Sequence, residues 1–442
     1  MGRSKQNMNP IVSNLVENYQ WLLANNLYHP DVVLDQLASP ELSINNDKFV
    51  SFSSNNYLGL SNRPEIINAA KEALIKFSNS TSESRKLGGN LRILEQLEDK
   101  LSEFKGSEDT MIFATGLLAN VGVISAITDI SNYMELFYGK KAPEVETVIL
   151  GDQLNHRSIQ MGVKLSRATH VKYKHNDMVD LENKLIENKD ANKIIITDGV
   201  FSMDGDLAPL DVITSLAETY NAAVMIDDAH GSGVFGENGR GSAEHFHVSK
   251  KIDFQMGTLS KAFGGLGGFV SAKKEVIDML KVNTSTYYFT SSLPADQAAG
   301  LIKAVEIAMN EPQLRVKLWN NVYRMIKGLF DMGFDSPLRF SQIIPVMIYD
   351  EKKAYKVEEF LQSKGILCSA VTVPAVAPGK SRLRISINAS HSDKHIDQLL
   401  NALAEAKKIY DIPQVKRTEG EWKAFMKESP EYILKMLGDK KI

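Results

Sequence analysis

The chain has 442 residues, 43% hydrophobic and 24% charged, with 51 Lys and Arg against 54 Asp and Glu for a formal charge of −3. That length calls for more than one core, the near-neutral balance gives no electrostatic case for nucleic acid, and no apolar run approaches the roughly 18 residues a membrane helix needs. One cysteine, Cys368, excludes an internal disulfide framework and suits a reducing compartment.

In chain order, the first residues, MGRSKQNMNPIVSN, lack the apolar stretch of a signal peptide and carry Gln6 where a myristoylation pattern needs Ser or Thr. A cytoplasmic protein with no membrane span is therefore expected. Residues 1–50 read as an N-terminal segment. From about 51 to 310, short β-rich runs alternate with helical patterns. The expected strands are 110–115, 147–152, 169–175, 193–199, 222–228, 254–258 and 267–272. Between them, LRILEQLEDKLSEF (91–104) and MVDLENKLIENK (178–189) space apolar residues by three and four, as a one-sided helix does. Such alternation predicts an α/β fold: a mostly parallel seven-stranded sheet covered by helices on both faces. Ligands of such sheets collect at the carboxyl ends of the strands.

After residue 310 the texture changes. Helical 314–332 leads to strand-like 342–350, helical 352–364, strand-like 366–373 and 382–388, and helical 393–410. This predicts a smaller C-terminal α+β domain over 311–410. The tail, 411–442, spaces Trp422, Phe425, Ile433, Leu434, Met436 and Leu437 among charges, which suggests a helix docked on the body.

Three motifs stand at expected strand ends. GTLSKAFGGLGG (257–268) sets Lys261 behind Thr258 and Ser260 and ahead of four glycines. A phosphate-binding Walker loop needs its glycines before the lysine, so that reading fails; a lysine snorkelling from a strand end and a covalent catalytic lysine remain. IDDAHGSGVFGENGRGS (226–242) ends a strand in Asp227 and Asp228, followed by His230. A buried carboxylate needs a cationic or hydrogen-bonding partner, and a protonated pyridine nitrogen is one. TDGVFSMDGDLAPL (197–210) delivers Ser202 and Asp204 just past a strand that ends near Asp198.

These motifs stand in the order and spacing of the α-oxoamine synthases, and the chain resembles that family. The likeness extends to SFSSNNYLGLSNRPE (51–65), FATGLLAN (113–120), DQLNHRSIQMG (152–162), YYFTSSLPA (287–295) and RLRISINASH (382–391). The resemblance implies an aspartate-aminotransferase-like, fold type I enzyme that uses pyridoxal 5'-phosphate. Its activity would be C-acyl transfer. A small amino acid (glycine, alanine or serine) condenses with an acyl thioester, acyl-CoA or an acyl-carrier thioester, usually with loss of carbon dioxide, to give an α-amino ketone.

Carried over position by position, Lys261 resembles the Schiff-base lysine that also moves the α-proton. Asp227 would pair with the ring nitrogen, His230 with the ring hydroxyl and Ser202 beside it. His156 would stack on the outer ring face. Gly116 and Leu117 would offer helix-start amides to the phosphate, with the hydroxyls of Thr258 and Ser260. Arg384 would grip the amino acid's carboxylate, with Arg382 as the competing choice and Asn55 on the same side. Thr290 and Ser291 would come from a second subunit, implying a homodimer with a shared site. No metal is expected. The chain departs from the family pattern at STSESRKLGGN (80–90), at Leu94 where histidine is frequent, at Asp198 where glutamate is frequent, and over an insertion at 130–146. An aminotransferase of the same fold and a non-catalytic scaffold subunit are the alternatives.

Overall fold

The computed structural model describes residues 9–438 except 26, 29, 30, 39 and 142–144. Expectations for residues 1–8, 142–144 and 439–442 lie outside the described residues. The main sheet has seven strands: β1 (Asp109–Phe113), β2 (Thr147–Asp152), β3 (Thr169–Tyr173), β4 (Asn192–Asp198), β5 (Ala222–Asp227), β6 (Phe254–Thr258) and β7 (Gly268–Ala272). Their spatial order is β1-β7-β6-β5-β4-β2-β3. Only β7 runs antiparallel to its neighbours, pairing with β1 and β6; the remaining pairs are parallel. Each strand falls within two residues of its expected bounds.

The chemistry of the strands explains their places. Central β4, NKIIITD, and β5, AAVMID, are almost wholly buried, as strands covered on both faces must be. Edge strand β3, THVKY, instead exposes His170 and Lys172, charged or polar groups that discourage pairing with another chain. One apolar layer packs helices Gly116–Tyr138, Arg157–Leu165 and Lys274–Asn283 on one face of the sheet. A second packs Met178–Glu187 and Leu210–Thr219 on the other.

The smaller C-terminal domain is built on β8 (Ile343–Tyr349), β9 (Ser369–Val371) and β10 (Ser381–Ser386), in the order β8-β10-β9, with helices Glu351–Ser363 and Asp393–Tyr410. The single strand expected over 366–373 is divided. Ile366–Leu367 pairs in parallel with the N-terminal strand Asp47–Ser51, whereas Ser369–Val371 pairs with β10; buried Cys368 is the point where the chain changes sheets. The tail does dock, but as two helices, Glu419–Glu428 and Glu431–Leu437. Pro430 forces the break, because a residue before proline is kept out of the helical region and Ser429 is extended. The segment 130–146 partly prolongs the long helix that ends at Tyr138. No described helix is long and apolar enough to cross a membrane.

Candidate active site

The carboxyl ends of β1, β2, β4, β5 and β6 surround a cavity of about 250 Å³. At β1, Thr115 caps the helix Gly116–Tyr138 by accepting the Leu118 N–H at 3.2 Å. First-turn amides have no partner within their own helix and carry the positive end of its dipole; Gly116 and Leu117 present theirs at the cavity wall. Glycine in β7 makes this approach possible. A Cβ on Gly268 would lie 2.6 Å from the Gly116 Cα, so any side chain would push the helix start away.

At β2, the chain turns through Asn155 to His156. Asn155 is locked between strands: its Nδ2 donates to the Ile196 carbonyl at 2.7 Å, and its Oδ1 accepts the Asp198 N–H at 3.1 Å. The His156 N–H donates to Asp198 Oδ2 at 2.7 Å. The His156 ring caps the helix Arg157–Leu165 while lining the cavity, so its helix-start role and its place at the site coincide.

At β5, the two acids separate, because successive strand residues point to opposite faces. Asp227 Oδ2 accepts from Asn120 Nδ2 at 2.6 Å and its Oδ1 from the Ala229 N–H at 3.0 Å. Asp228 turns away to the fully buried Lys105 ammonium at 3.2 Å and to the Ser242 hydroxyl at 2.6 Å. Asp227 alone therefore serves the cavity.

At β6, Thr258 Oγ1 lies 2.9 Å from Ser260 Oγ and donates to the Gly267 carbonyl. Lys261 Nζ lies 2.7 Å from His230 Nε2. Burial pulls the Lys261 ammonium down to about 8, against the opposing charges of Asp227 and Asp198. Burial also holds His230 well below the usual imidazole range. It raises the Asp198 carboxyl well above the ordinary carboxylate value, with the nearby charge of Asp227 adding to the effect.

The cavity gathers Gly116, Leu117, His156, Ser202 and Asp227. It also gathers His230, Thr258, Ser260 and Lys261. Arg384 and Asn55 join it by hydrogen bonds rather than as lining. Arg384 Nε donates to the Ser202 carbonyl at 2.6 Å, and its two Nη atoms donate to Asn55 Oδ1 at 3.3 and 3.2 Å. Arg382 is committed elsewhere, to the Asp204 carboxylate and the Met203 carbonyl, which separates the two arginines that the sequence left in competition. Thr290 and Ser291 stand outside this chain's cavity, with Ser291 exposed. Leu94 is buried in the apolar core and does not line the cavity.

Sequence reasoning missed Tyr57, Asn120 and Asn155. Tyr57 lies within the quoted SFSSNNYLGL and is fully buried, with its hydroxyl 2.6 Å from His230 Nδ1. Asn120 closes the quoted FATGLLAN, but its partners, Ser158 and Asp227, lie 38 and 107 residues away.

This donor set fits pyridoxal phosphate. A neutral-leaning amine meets the aldehyde, a buried carboxylate meets the ring nitrogen, and a helix start with two hydroxyls meets the phosphate.

Residues 47–403 match the family model described as aminotransferase class I and II. The chain is 40% identical over 398 residues to 8-amino-7-oxononanoate synthase of Thermoanaerobacter pseudethanolicus, covering 90% of this chain and 97% of that one. It is 38% identical to serine palmitoyltransferase of Bacteriovorax stolpii, covering 91% and 92%. The solved Sphingomonas wittichii serine palmitoyltransferase superposes with a TM-score of 0.84 at 33% identity, covering 91% of this chain and 99% of that one. Likeness of this extent, over a stretch that includes Lys261, Asp227 and His230, makes the chain a member of the aminotransferase class I and II family and, within it, of the pyridoxal-phosphate-dependent α-oxoamine synthases.

Proposed function

We propose that this protein is a C-acyltransferase that joins the α-carbon of glycine, alanine or serine to the acyl carbon of a thioester such as acyl-CoA. A carbon–carbon bond forms, the carbon–sulfur bond breaks, and the thiol leaves with a proton; carbon dioxide is then lost from the β-keto acid to give an α-amino ketone. The observation that carries this reading is the convergence of Lys261, His230 and Asp227 on one cavity, with Arg384 tied to its wall at Ser202. The relatives named above, synthases and transferases of this type, support it.

Pyridoxal phosphate, when bound, supplies an aldehyde that takes up a primary amine and a ring that accepts the electron pair freed at the α-carbon. The residues of this chain do the rest. Asp227 holds a proton on the ring nitrogen by charge, kept in place by Asn120. Lys261, depressed to about 8 by burial, is free amine often enough near neutral pH to take the α-proton at Nζ. Arg384 offers a planar fork to the substrate carboxylate, and together with His156 it orients the amino acid. Gly116, Leu117, Thr258 and Ser260 hold the phosphate at the helix start. Thr290 and Ser291 serve the cavity of a second copy, so the working unit is a homodimer with shared sites, and the enzyme acts in the cytoplasm.

Glycine, alanine and serine, each paired with short, medium and long acyl-CoA, form the test, scored by free thiol. One pair is expected to release thiol in step with amino acid consumed. Silence across the whole panel refutes the acyltransferase reading, and amino transfer to a keto acid without thiol release replaces it with an aminotransferase.

A further inference from the structure

Five side chains form one hydrogen-bonded chain from the arginine fork to the lysine amine. Arg384 donates twice to Asn55 Oδ1. The Tyr57 hydroxyl lies 3.0 Å from that same oxygen and 2.6 Å from His230 Nδ1. His230 Nε2 lies 2.7 Å from Lys261 Nζ. Tyr57 is wholly buried, so these contacts do not compete with bulk water.

The hydroxyl has one proton and two acceptors within reach. An amide oxygen has two lone pairs, and the guanidinium already supplies Asn55 Oδ1 with two N–H groups. The shorter contact, to His230, therefore takes the proton. His230 is neutral because burial disfavours its charge, and a neutral imidazole carries a single N–H whose position its neighbours decide.

We propose that Tyr57, by donating to His230 Nδ1, fixes His230 as the Nε2–H tautomer, and that Arg384 through Asn55 couples this tautomer to the filling of the carboxylate site. Tyr57 is thus a positioning residue. With Nε2–H turned toward Lys261, the amine is held as an acceptor, in its neutral form. When a carboxylate draws the guanidinium away, Asn55 Oδ1 loses its donors and competes for the Tyr57 proton. His230 then moves toward Nδ1–H, and Nε2 becomes an acceptor facing the amine. The inference rests on the roles proposed above for Lys261 and Arg384.

The test uses the full-length protein freed of cofactor and labelled with ¹⁵N-histidine, of which there are nine. In the wild type, His230 should give a protonated Nε2 and an unprotonated Nδ1 at about pH 9, above the Lys261 midpoint near 8 where the amine is mainly neutral and can accept. Tyr57→Phe should convert this to a mixed tautomer, Asn55→Ala should leave it unchanged, and propionate, a bare carboxylate probe, should move it toward Nδ1–H. In parallel, the pH midpoint for acylation of Lys261, near 8 in the wild type, should rise in Tyr57→Phe. Asp227, Asp198 and Arg384 also face this amine, and the Tyr57 variant leaves their charges in place. An unchanged His230 pattern in Tyr57→Phe overturns the proposal whatever the thiol assay gives. A silent thiol panel alongside the tautomer change overturns the acyltransfer reading and leaves the role of Tyr57 standing. If propionate does not move the tautomer, the coupling to Arg384 is refuted.

Discussion

A carboxylate on a buried strand end survives only if its neighbours satisfy it, and Asp227 shows how few neighbours suffice. One oxygen takes the Asn120 amide and the other the Ala229 N–H. The Asp-Asp-Ala-His run made Asp227 legible in the sequence, since two acids and a histidine at a strand end are hard to explain otherwise. Asn120 stood in the quoted FATGLLAN, but its role was not legible, because it meets Asp227 only when its helix packs on β5. Removing it strips one donor from a buried carboxylate, which costs on the order of 1–3 kcal/mol. Asn120→Ala should therefore lower the denaturant midpoint of the cofactor-free protein. Added pyridoxal phosphate should narrow the gap to the wild type, since its ring nitrogen brings a donor to the same carboxylate and a ligand stabilises only the state that binds it. Equal losses with and without cofactor would reduce Asn120 to packing.

At the scale of elements, the loops after the strands carry the chemistry and need fastening from outside the cavity. The 169–175 run was read as strand throughout, yet β3 ends at Tyr173. The reason is His175, which leaves the ladder to join two loops. Its Nδ1 reaches both Asp152 oxygens at 3.1 and 3.2 Å, and its Nε2 reaches Asp206 Oδ2 at 2.7 Å. Asp152 begins the turn to His156, and Asp206 closes the loop that holds Ser202, so one ring fastens two walls of the site. Both nitrogens must donate; burial opposes the charge, and the two carboxylates outweigh it and hold the imidazolium up to about 10. A folded-state value above the unfolded one stabilises fully below about 6.5, the ordinary imidazole value. The benefit fades as pH climbs through about 10. His175→Gln should thus lose about 2 kcal/mol at pH 6.5, as expected for hydrogen bonds to charged groups. The gap between the denaturant midpoints of variant and wild type should shrink by pH 10.5. A gap that is constant across that range would mean that the ring acts uncharged.

The whole molecule is held as one by a core that runs from the 51–60 segment through the small domain into the tail. Strands β2 and β4, TVILGD and NKIIITD, were legible because buried parallel strands read as continuous apolar, β-branched runs. The sheet change at Cys368 was not, since 366–373, ILCSAVTV, is β-prone throughout and only the partners of each half differ. The tail was half legible. Its apolar spacing announced docking, while the surface that receives it is assembled from residues as many as 196 positions away. Trp422 is the anchor. It is 7% exposed, with ring centroids 5.0 Å from Phe330, 5.8 Å from Tyr323 and 5.4 Å from Phe425. Further on, the Tyr432 hydroxyl takes the Gly236 N–H at 3.1 Å and meets His245 Nδ1 at 2.9 Å, which fastens the tail to the loop that follows Asp227 and His230. Truncating a packed tryptophan to alanine costs about 3–5 kcal/mol, lost contact plus cavity. Trp422→Ala should accordingly lower the unfolding midpoint sharply. The cofactor's absorbance spectrum and affinity in the protein that remains folded should not change, because neither Trp422 nor its ring partners Tyr323, Phe330 and Phe425 line the cavity. A spectrum altered at temperatures where the variant is fully folded would instead mean that the tail, through Tyr432 and the 232–242 loop, helps set the position of His230.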